Sequence, residues 1–305
     1  MLSVAFALAL SVGGQTEART PNSPRGCVNL PASECLPLQR GDDDSPIVAA
    51  TLNGSEPYFF MLDTGASSST IDDATALKLA LPRVKATEQA QGWGGGFEVH
   101  FYKLSRFQAG PLSLRNTTPA GVPAPDFDSH QVVGLAGADL FGARLIVWDI
   151  PMARIRLGHS GSPPPGTGEW RVLTSNWIRP WKVMVPVEIN GVQGWGLIDT
   201  GAQSSSINPA FAAALGLTEA SGRLRPGGEV SGIDGKSIKV READVGAVRI
   251  GEWQWETMTL TVADLPFFNR LGKPGDLIMV IGVDWLKSHP FAMDYGKKVV
   301  WQRAR

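Results

Sequence analysis

The sequence predicts an all-β protein built from two homologous lobes that are related by a pseudo-two-fold axis. Two observations carry this prediction. The 305 residues include 35 glycines and 22 prolines, which separate short apolar runs and are typical of many short strands joined by turns. The second half of the chain also repeats the first half, so each half is expected to form one lobe.

The repeat is centred on the tetrapeptide Asp-Thr-Gly-Ala. Residues 52–71 read LNGSEPYFFMLDTGASSSTI, and residues 189–207 read INGVQGWGLIDTGAQSSSI. Asp63 and Asp199 occupy the same place in the two copies, 136 residues apart. Further along, Gly137 matches Gly282 and Asp139 matches Asp284, both at an offset of 145. The second copy therefore carries a nine-residue insertion (145 − 136), which lies between Ile250 and Val280.

The Pro- and Gly-rich stretch GHSGSPPPGTGEW separates the two copies and has no apolar periodicity, which is typical of a linker. A leader and an N-terminal arm precede the first copy. The expected organisation is a signal peptide at 1–18, an arm at 19–45, lobe 1 at 46–157, the linker at 158–169 and lobe 2 at 170–305.

The leader MLSVAFALALSVGG has the length of a signal peptide and is too short to span a bilayer comfortably. No Lys or Arg precedes its apolar run, so a buried or disordered leader stays the alternative. Two cysteines follow, Cys27 and Cys35. In an exported protein their spacing suits one small disulfide loop, and otherwise they are free thiols in a flexible arm. We expect a periplasmic or secreted protein without a stable membrane span.

Charge and composition exclude several classes of function. Lys plus Arg is 28 and Asp plus Glu is 29, so no basic excess points to a nucleic-acid partner. The two cysteines do not complete a zinc shell, and the four histidines, at 100, 130, 159 and 289, lack ligand spacing. No metal or other cofactor is expected.

Each aspartate is predicted to end a buried strand. Apolar runs precede both, at residues 59–62 and 195–198, and continuous apolar runs indicate strands buried on both faces. Gly65 and Gly201 allow a tight turn and the close approach of another backbone. A short helix should follow each loop. Asp72 or Asp73 can cap a helix over 74–81, and Asn208-Pro209 can begin one over 210–217 that ends at Gly216.

Two carboxyls that meet at a symmetry axis cannot both ionise cheaply, so they share one proton. The ionised member can accept a proton from a water that attacks an amide carbonyl, while the protonated member hydrogen-bonds the carbonyl oxygen. Asp63 and Asp199 are therefore the candidate catalytic residues. Ser67 to Ser69 and Ser204 to Ser206 have no obvious base and are expected to support the loops by hydrogen bonds.

The two motifs, with Leu135-Ala136-Gly137 and Val280-Ile281-Gly282, resemble the aspartic proteases over residues 46–305. Ala after the motif glycine is the retropepsin-like pattern, whereas duplication within one chain is a pepsin-like organisation. The resemblance implies two acid-protease-like lobes, and a monomer that holds both half-sites. It implies that Thr64 and Thr200 interlock across the lobe interface, so that these threonines support the aspartate loops with Gly65 and Gly201.

The resemblance also implies hairpin flaps that close over a peptide. Ordinary hairpin turns are the alternative for both. The flap candidates are Trp93, Gly94, Gly95, Gly96 and Phe97 in lobe 1, and Gly232, Ile233, Asp234 and Gly235 in lobe 2.

The function predicted from these features is that of an aspartic endopeptidase acting on a peptide or protein substrate, with a mildly acidic pH optimum. One alternative is a catalytically silent peptide-binding module of the cell envelope. Another is a purely structural duplicated β protein, which leaves the matched buried aspartates unexplained.

Overall fold

The structure is a computed structural model that describes residues 25–92, 94–123, 130–166, 168–178, 181–232 and 234–304. The predicted signal peptide lies outside the described residues. Strands dominate the described chain, so the prediction of an all-β, two-lobed fold is confirmed. None of the described helices has the length and apolar character needed to cross a membrane.

The first copy and the segment before it form thirteen strands and one α-helix among the described residues. In chain order they are β1 (Cys35–Pro37), β2 (Gln39–Arg40), β3 (Pro46–Leu52), β4 (Tyr58–Leu62), β5 (Thr70–Asp72), α1 (Asp73–Lys78), β6 (Arg83–Gly92), β7 (Gly95–Tyr102), β8 (Leu104–Ala109), β9 (Leu112–Thr117), β10 (Ala120–Val122), β11 (Leu135–Ala136), β12 (Leu145–Asp149) and β13 (Arg154–Gly158).

The second copy repeats this order. Its elements are β14 (Trp170–Leu173), β15 (Asn176–Ile178), β16 (Lys182–Ile189), β17 (Val192–Ile198), β18 (Ser206–Ile207), α2 (Pro209–Ala214), β19 (Arg225–Ser231), β20 (Ser237–Val245), β21 (Val248–Ile250), β22 (Trp253–Trp255), β23 (Met258–Val262), β24 (Ile278–Ile281), α3 (Val283–Leu286), β25 (Phe291–Asp294) and β26 (Val299–Arg303). A 3₁₀ helix over Pro266–Arg270 lies between Ile250 and Val280, the interval that contains the nine-residue insertion.

Both short helices begin at the expected caps. The Asp72 side chain accepts a hydrogen bond from the Thr75 amide, and Asn208 does the same for Phe211. The first helix is shorter than predicted because Ala80 adopts a left-handed backbone with φ of 49°. The second ends before Gly216, whose φ is 69°, as the sequence indicated.

The strands that carry the aspartates lie inside their sheets. β4 pairs with β3 and, in parallel, with β11, while β17 pairs with β16 and, in parallel, with β24. Trp195 was expected to be buried, but 40% of it is exposed, so that expectation is wrong. It stands opposite Pro186 in the middle of β17, whereas burial on both faces begins at the next residue toward the aspartate.

A six-stranded sheet joins the two copies. Its order is β1-β13-β12-β25-β26-β14, so the closing strands of lobe 1 pair directly with those of lobe 2. Trp148 of β12 and Phe291 of β25 stack with ring centroids 5.8 Å apart, and neither side chain is exposed. This shared core holds the lobes against each other and so sets the spacing of the two aspartate strands.

Part of the predicted N-terminal arm joins this sheet. Cys27 and Cys35 are disulfide-bonded, and β1, which begins at Cys35, pairs antiparallel with β13. The segment is thereby tied to the sheet that both lobes share.

Candidate active site

Asp63 and Asp199 lie at the ends of β4 and β17, where the two lobes meet. Each aspartate amide donates to the neighbouring parallel strand. The Asp63 amide bonds the Ala136 carbonyl at 3.0 Å, and the Asp199 amide bonds the Ile281 carbonyl at 3.0 Å. Both side chains are wholly buried. The apolar-apolar-Gly segments noted in the sequence therefore anchor the start of the two aspartate loops, residues 63–66 and 199–202.

Each carboxyl closes its own loop with one oxygen. Oδ1 of Asp63 accepts from the Ala66 amide at 2.8 Å, and Oδ1 of Asp199 accepts from the Gly201 amide at 3.0 Å. In the part of the chain that the structure describes, no donor other than the opposite carboxyl is available to Oδ2 of either residue. A bond between the two carboxyls consequently requires that one of them hold a proton.

The motif glycines make room for the opposite carboxyl. A Cβ built on Gly65 would lie 2.4 Å from Oδ2 of Asp199, and one built on Gly201 would lie 2.4 Å from Cγ of Asp63. Neither glycine is among the residues with positive φ. The close approach of another backbone, which was expected at these glycines, is therefore wrong in detail, because a carboxyl side chain takes the space.

Thr64 and Thr200 link the two aspartate loops. The Thr64 hydroxyl donates to the Ile198 carbonyl at 2.7 Å and accepts from the Thr200 amide at 3.0 Å. The Thr200 hydroxyl donates to the Leu62 carbonyl at 2.8 Å and accepts from the Thr64 amide at 3.1 Å. These four bonds cross the lobe interface between buried groups, where each is costly to break.

A second matched pair of aspartates supports the loops from behind. The Ser69 hydroxyl donates to Asp139 at 2.8 Å and the Ser205 hydroxyl donates to Asp284 at 2.7 Å. Both serines also accept an amide, from Gly137 and Gly282. The sequence comparison matched these two aspartates but assigned them no role. Their recurrence at the same offset as the glycines was the available signal.

Comparison with known proteins agrees with the division of the chain into two copies. The model of the aspartyl protease family matches residues 48–140 and 185–285, and one Asp-Thr-Gly-Ala lies in each segment. The chain belongs to the aspartyl protease family. The prediction of an aspartyl protease domain duplicated within one chain is confirmed. No curated protein matches the chain.

The two aspartates of this aspartyl protease fold differ in acidity. Burial, the charge of Asp199 and its hydrogen bond raise the pKa of Asp63 well above 3.8. Burial also raises the pKa of Asp199, to about 6, although hydrogen bonds from Asp63, Gly201 and Ala202 and the charge of Lys182 oppose the rise. The two groups face each other, so they titrate as a pair.

Lys182 is a buried cation at this site that sequence reasoning missed. It begins β16 in lobe 2, but its ammonium bonds lobe 1, reaching the Gly65 carbonyl at 3.0 Å and the Ser67 hydroxyl at 3.1 Å. Burial lowers the pKa of Lys182 to about 8, against the opposing charges of Asp63 and Asp199. A single lysine at the start of a strand matches no sequence motif, so its position at the site is visible only in the fold.

The flap candidates form two hairpin tips that contact each other. β6 pairs with β7 up to Gly92 and Gly95, and β19 pairs with β20 up to Ser231 and Ser237. The Gly94 amide donates to Oδ2 of Asp234 at 2.8 Å. Lys236 donates to the carbonyls of Gly94 at 3.3 Å and Gly96 at 3.4 Å.

Two flap candidates, Trp93 and Ile233, lie outside the described residues. Phe97, at the base of the first tip, packs against a buried apolar cluster to which both lobes contribute. That cluster includes Ala66 and Ala202 of the aspartate loops. Among the described residues, no group of three or more His, Cys, Asp or Glu side chains is placed to hold a metal ion.

Proposed function

We propose that the chain is an aspartic endopeptidase in which Asp63 and Asp199 activate a water molecule for attack on a peptide bond. The observation that carries the proposal is the pairing of two fully buried carboxyls whose Oδ2 atoms have no donor in the described chain other than the opposite carboxyl. The raised pKa values of both groups favour the state with one shared proton over a wide pH range.

The reaction then needs only these two groups and water. The ionised carboxylate takes a proton from the water as the water oxygen bonds to the amide carbon. The protonated carboxyl gives its proton to the carbonyl oxygen, which produces a neutral tetrahedral diol. When the diol breaks down, one of its protons returns to the Asp63–Asp199 pair, here called the dyad. The C–N bond then breaks, and the amine leaves with the proton that the water first gave up. The dyad ends with one proton, as it began.

The test compares Asp63→Asn and Asp199→Asn with Asp72→Asn in a peptide-cleavage assay. Asp72 is also buried and caps α1, and Asn caps a helix equally well, so it controls for burial and folding. Each dyad variant should lose at least 1,000-fold in kcat, roughly as catalytic units do when one member is removed. The double variant should be no worse. Near-normal turnover by either single variant would refute the mechanism.

Inhibition provides an independent arm of the same test. A statine-type peptide places a hydroxyl between the two carboxyls and mimics the tetrahedral species, so it should bind more tightly than a substrate. Chelators and serine or cysteine reagents should leave the rate unchanged. A chain that binds the statine peptide but cleaves no peptide library would instead be the silent peptide-binding module.

We further propose that the protein is exported to the periplasm or secreted. The Cys27–Cys35 disulfide supports this, because disulfides persist in oxidising compartments. Fractionation of cells that express the full chain, with detection of the mature protein and sequencing of its N-terminus, tests both the compartment and the cleavage near residue 18. Retention of the uncleaved chain in the cytoplasm would contradict the proposal.

A further inference from the structure

Among the tryptophans that the structure describes, only Trp195 is exposed, and the proposed hydrolysis does not use it. It exposes 40% of its surface, whereas the other described tryptophans are buried or half-buried. It is not among the residues that form the apolar clusters of the protein or pack against them. Because a tryptophan usually buries most of its large ring, this exposure requires a reason.

The matching position in lobe 1 holds an aromatic ring that is covered. At the 136-residue offset Trp195 corresponds to Phe59, which packs edge-on against the ring of His130 with the ring centroids 5.9 Å apart. The 145-residue offset, which already relates the two apolar-apolar-Gly segments, places Gly275 at the position of His130. Lobe 2 therefore has no side chain where lobe 1 covers its ring, and the indole of Trp195 stays at the surface.

The indole of Trp195 lines a cavity of about 650 Å³ in lobe 2. Small-molecule sites have volumes of roughly 300–1,000 Å³, so the cavity is large enough to hold a ligand. None of the described residues that line it belongs to an aspartate loop, to a hairpin tip or to the apolar cluster around the aspartate loops. The cavity is therefore a separate site from the paired carboxyls.

One part of the cavity lining is apolar. Trp195 of β17 stands directly opposite Pro186 of β16, and both line the cavity. Leu277 lies beside them, and its carbonyl accepts a hydrogen bond from the Trp195 amide at 2.9 Å. This apolar part consists of one indole and two aliphatic neighbours, so its size suits a single ring of a ligand.

The rest of the cavity lining is polar. Gln193 of β17 opposes Glu188 of β16, which in turn opposes Arg249 of β21. Glu188 and Arg249 form an ion pair, and the Arg249 side chain is 57% exposed. Alternate residues of a strand share a face, so this polar row lies next to Trp195. With the exposed Asp276, the rim offers both donors and acceptors of hydrogen bonds.

A sugar ring is the group that matches both parts of the lining. A pyranose with equatorial substituents presents a face of C–H groups, which pack on the electron-rich face of an indole, and its hydroxyls both donate and accept. The carboxylates of Glu188 and Asp276 outnumber the guanidinium of Arg249, which disfavours a phosphate-bearing ligand. A basic ligand would find Asp276 alone, because Glu188 is already paired. A hydrocarbon would desolvate the charged rim without compensation.

We propose that this cavity is a carbohydrate-binding site that takes a β-linked chain of pyranose sugars. Trp195 stacks on one sugar ring, and Gln193, Arg249 and Asp276 hydrogen-bond its hydroxyls. The site goes beyond the proposed peptide hydrolysis and does not depend on it. In an exported protein, such a site holds the chain on a polysaccharide surface.

The test measures binding of cellotetraose and of chitotetraose to the full chain by isothermal titration calorimetry. Both are β-linked tetrasaccharides, and only the second carries acetamido groups. At least one of them should bind with a Kd below about 1 mM. Trp195→Ala should weaken this binding at least tenfold, roughly the effect of truncating a central aromatic anchor. Leu77→Ala, at an apolar position of α1 that is 70% exposed, is the matched control and should bind like the parent.

A second variant and a cross-check complete the test. Asp276→Ala should weaken binding about fivefold, the usual worth of one hydrogen bond, and it decides the matter if Trp195→Ala does not fold. Asp199→Asn should bind the tetrasaccharide like the parent, and Trp195→Ala should cleave a short peptide at the parental kcat, so the two proposals fail independently. The carbohydrate site is wrong if neither tetrasaccharide binds, if Trp195→Ala binds like the parent, or if only a proline-rich peptide, titrated in parallel, is bound.

Discussion

Thr64 and Thr200 each donate their hydroxyl to the strand that leads to the other lobe's aspartate. Thr64 bonds the carbonyl of Ile198 and Thr200 bonds that of Leu62, the residues that immediately precede Asp199 and Asp63. The separation of the two carboxyls is therefore coupled to the lobe interface through short, buried hydrogen bonds. This arrangement leads to the first of four predictions.

Replacing Thr64 by Val should lower the free energy of unfolding by about 3 kcal/mol, because a buried carbonyl and a buried amide each lose a partner worth roughly 1–3 kcal/mol. Thr200→Val should behave similarly, and urea unfolding measures both. The double variant should cost clearly less than the sum, since the two hydroxyls serve one network. Thr70→Val, which loses one bond within lobe 1 to the Leu135 amide, is the comparison. Strict additivity of the two interlobe variants would contradict a coupled interlock.

Adding a methyl group at Gly65 should separate the two carboxyls. In Gly65→Ala the new Cβ would overlap the Asp199 carboxyl, so the loops must move apart and the proposed activity should fall at least 100-fold. Gly54→Ala is the control. Its φ of 82° makes it strained, at a cost of about 1 kcal/mol, but its Cβ would meet nothing within 4 Å. Normal kcat in Gly65→Ala would show that the close approach is not needed.

The dyad should reduce stability at neutral pH. Burial raises the pKa of Asp199 from 3.8 to about 6 against the opposing hydrogen bonds and the charge of Lys182, so between these values the folded chain binds more protons than the unfolded chain. The free energy of unfolding therefore falls as pH rises through this window. Asp199→Asn should be more stable than the parent at pH 7 by roughly 2 kcal/mol, and the gain should vanish near pH 3. Thermal unfolding at both pH values measures this, and a gain that is equal at both would be inconsistent with a raised pKa.

The contact between the hairpin tips should protect a backbone amide. Asp234→Ala removes the carboxylate that accepts from Gly94, so hydrogen exchange of the Gly94 amide should accelerate about tenfold, which corresponds to roughly 1.4 kcal/mol. Lys239→Met, exposed on the same hairpin beyond the tip, should leave this rate unchanged. Equal exchange rates in the parent and Asp234→Ala would mean that the two tips do not hold each other in solution.

Local patterns in the sequence were sufficient for the architecture and for the paired aspartates. Gly and Pro between short apolar runs indicated strands, Asp72 and Asn208 indicated helix starts, and a repeat at a constant offset indicated two lobes. Each signal lies within a few residues or recurs at a fixed spacing, so it can be read along the chain. The pairing of Asp63 with Asp199 followed from the repeat and the symmetry that it implied.

Only the tertiary structure placed the groups that break this symmetry. Lys182 meets Gly65 across 117 residues, and Asp234 meets Gly94 across 140. Among the residues that the structure describes, neither contact has a matching partner in the other copy, so no repeat reveals it. The reach of a long side chain into a buried interface depends on how the shared six-stranded sheet orients the two lobes. The sequence alone therefore determined a symmetric pair of carboxyls, and packing between the lobes decided which charges surround each one.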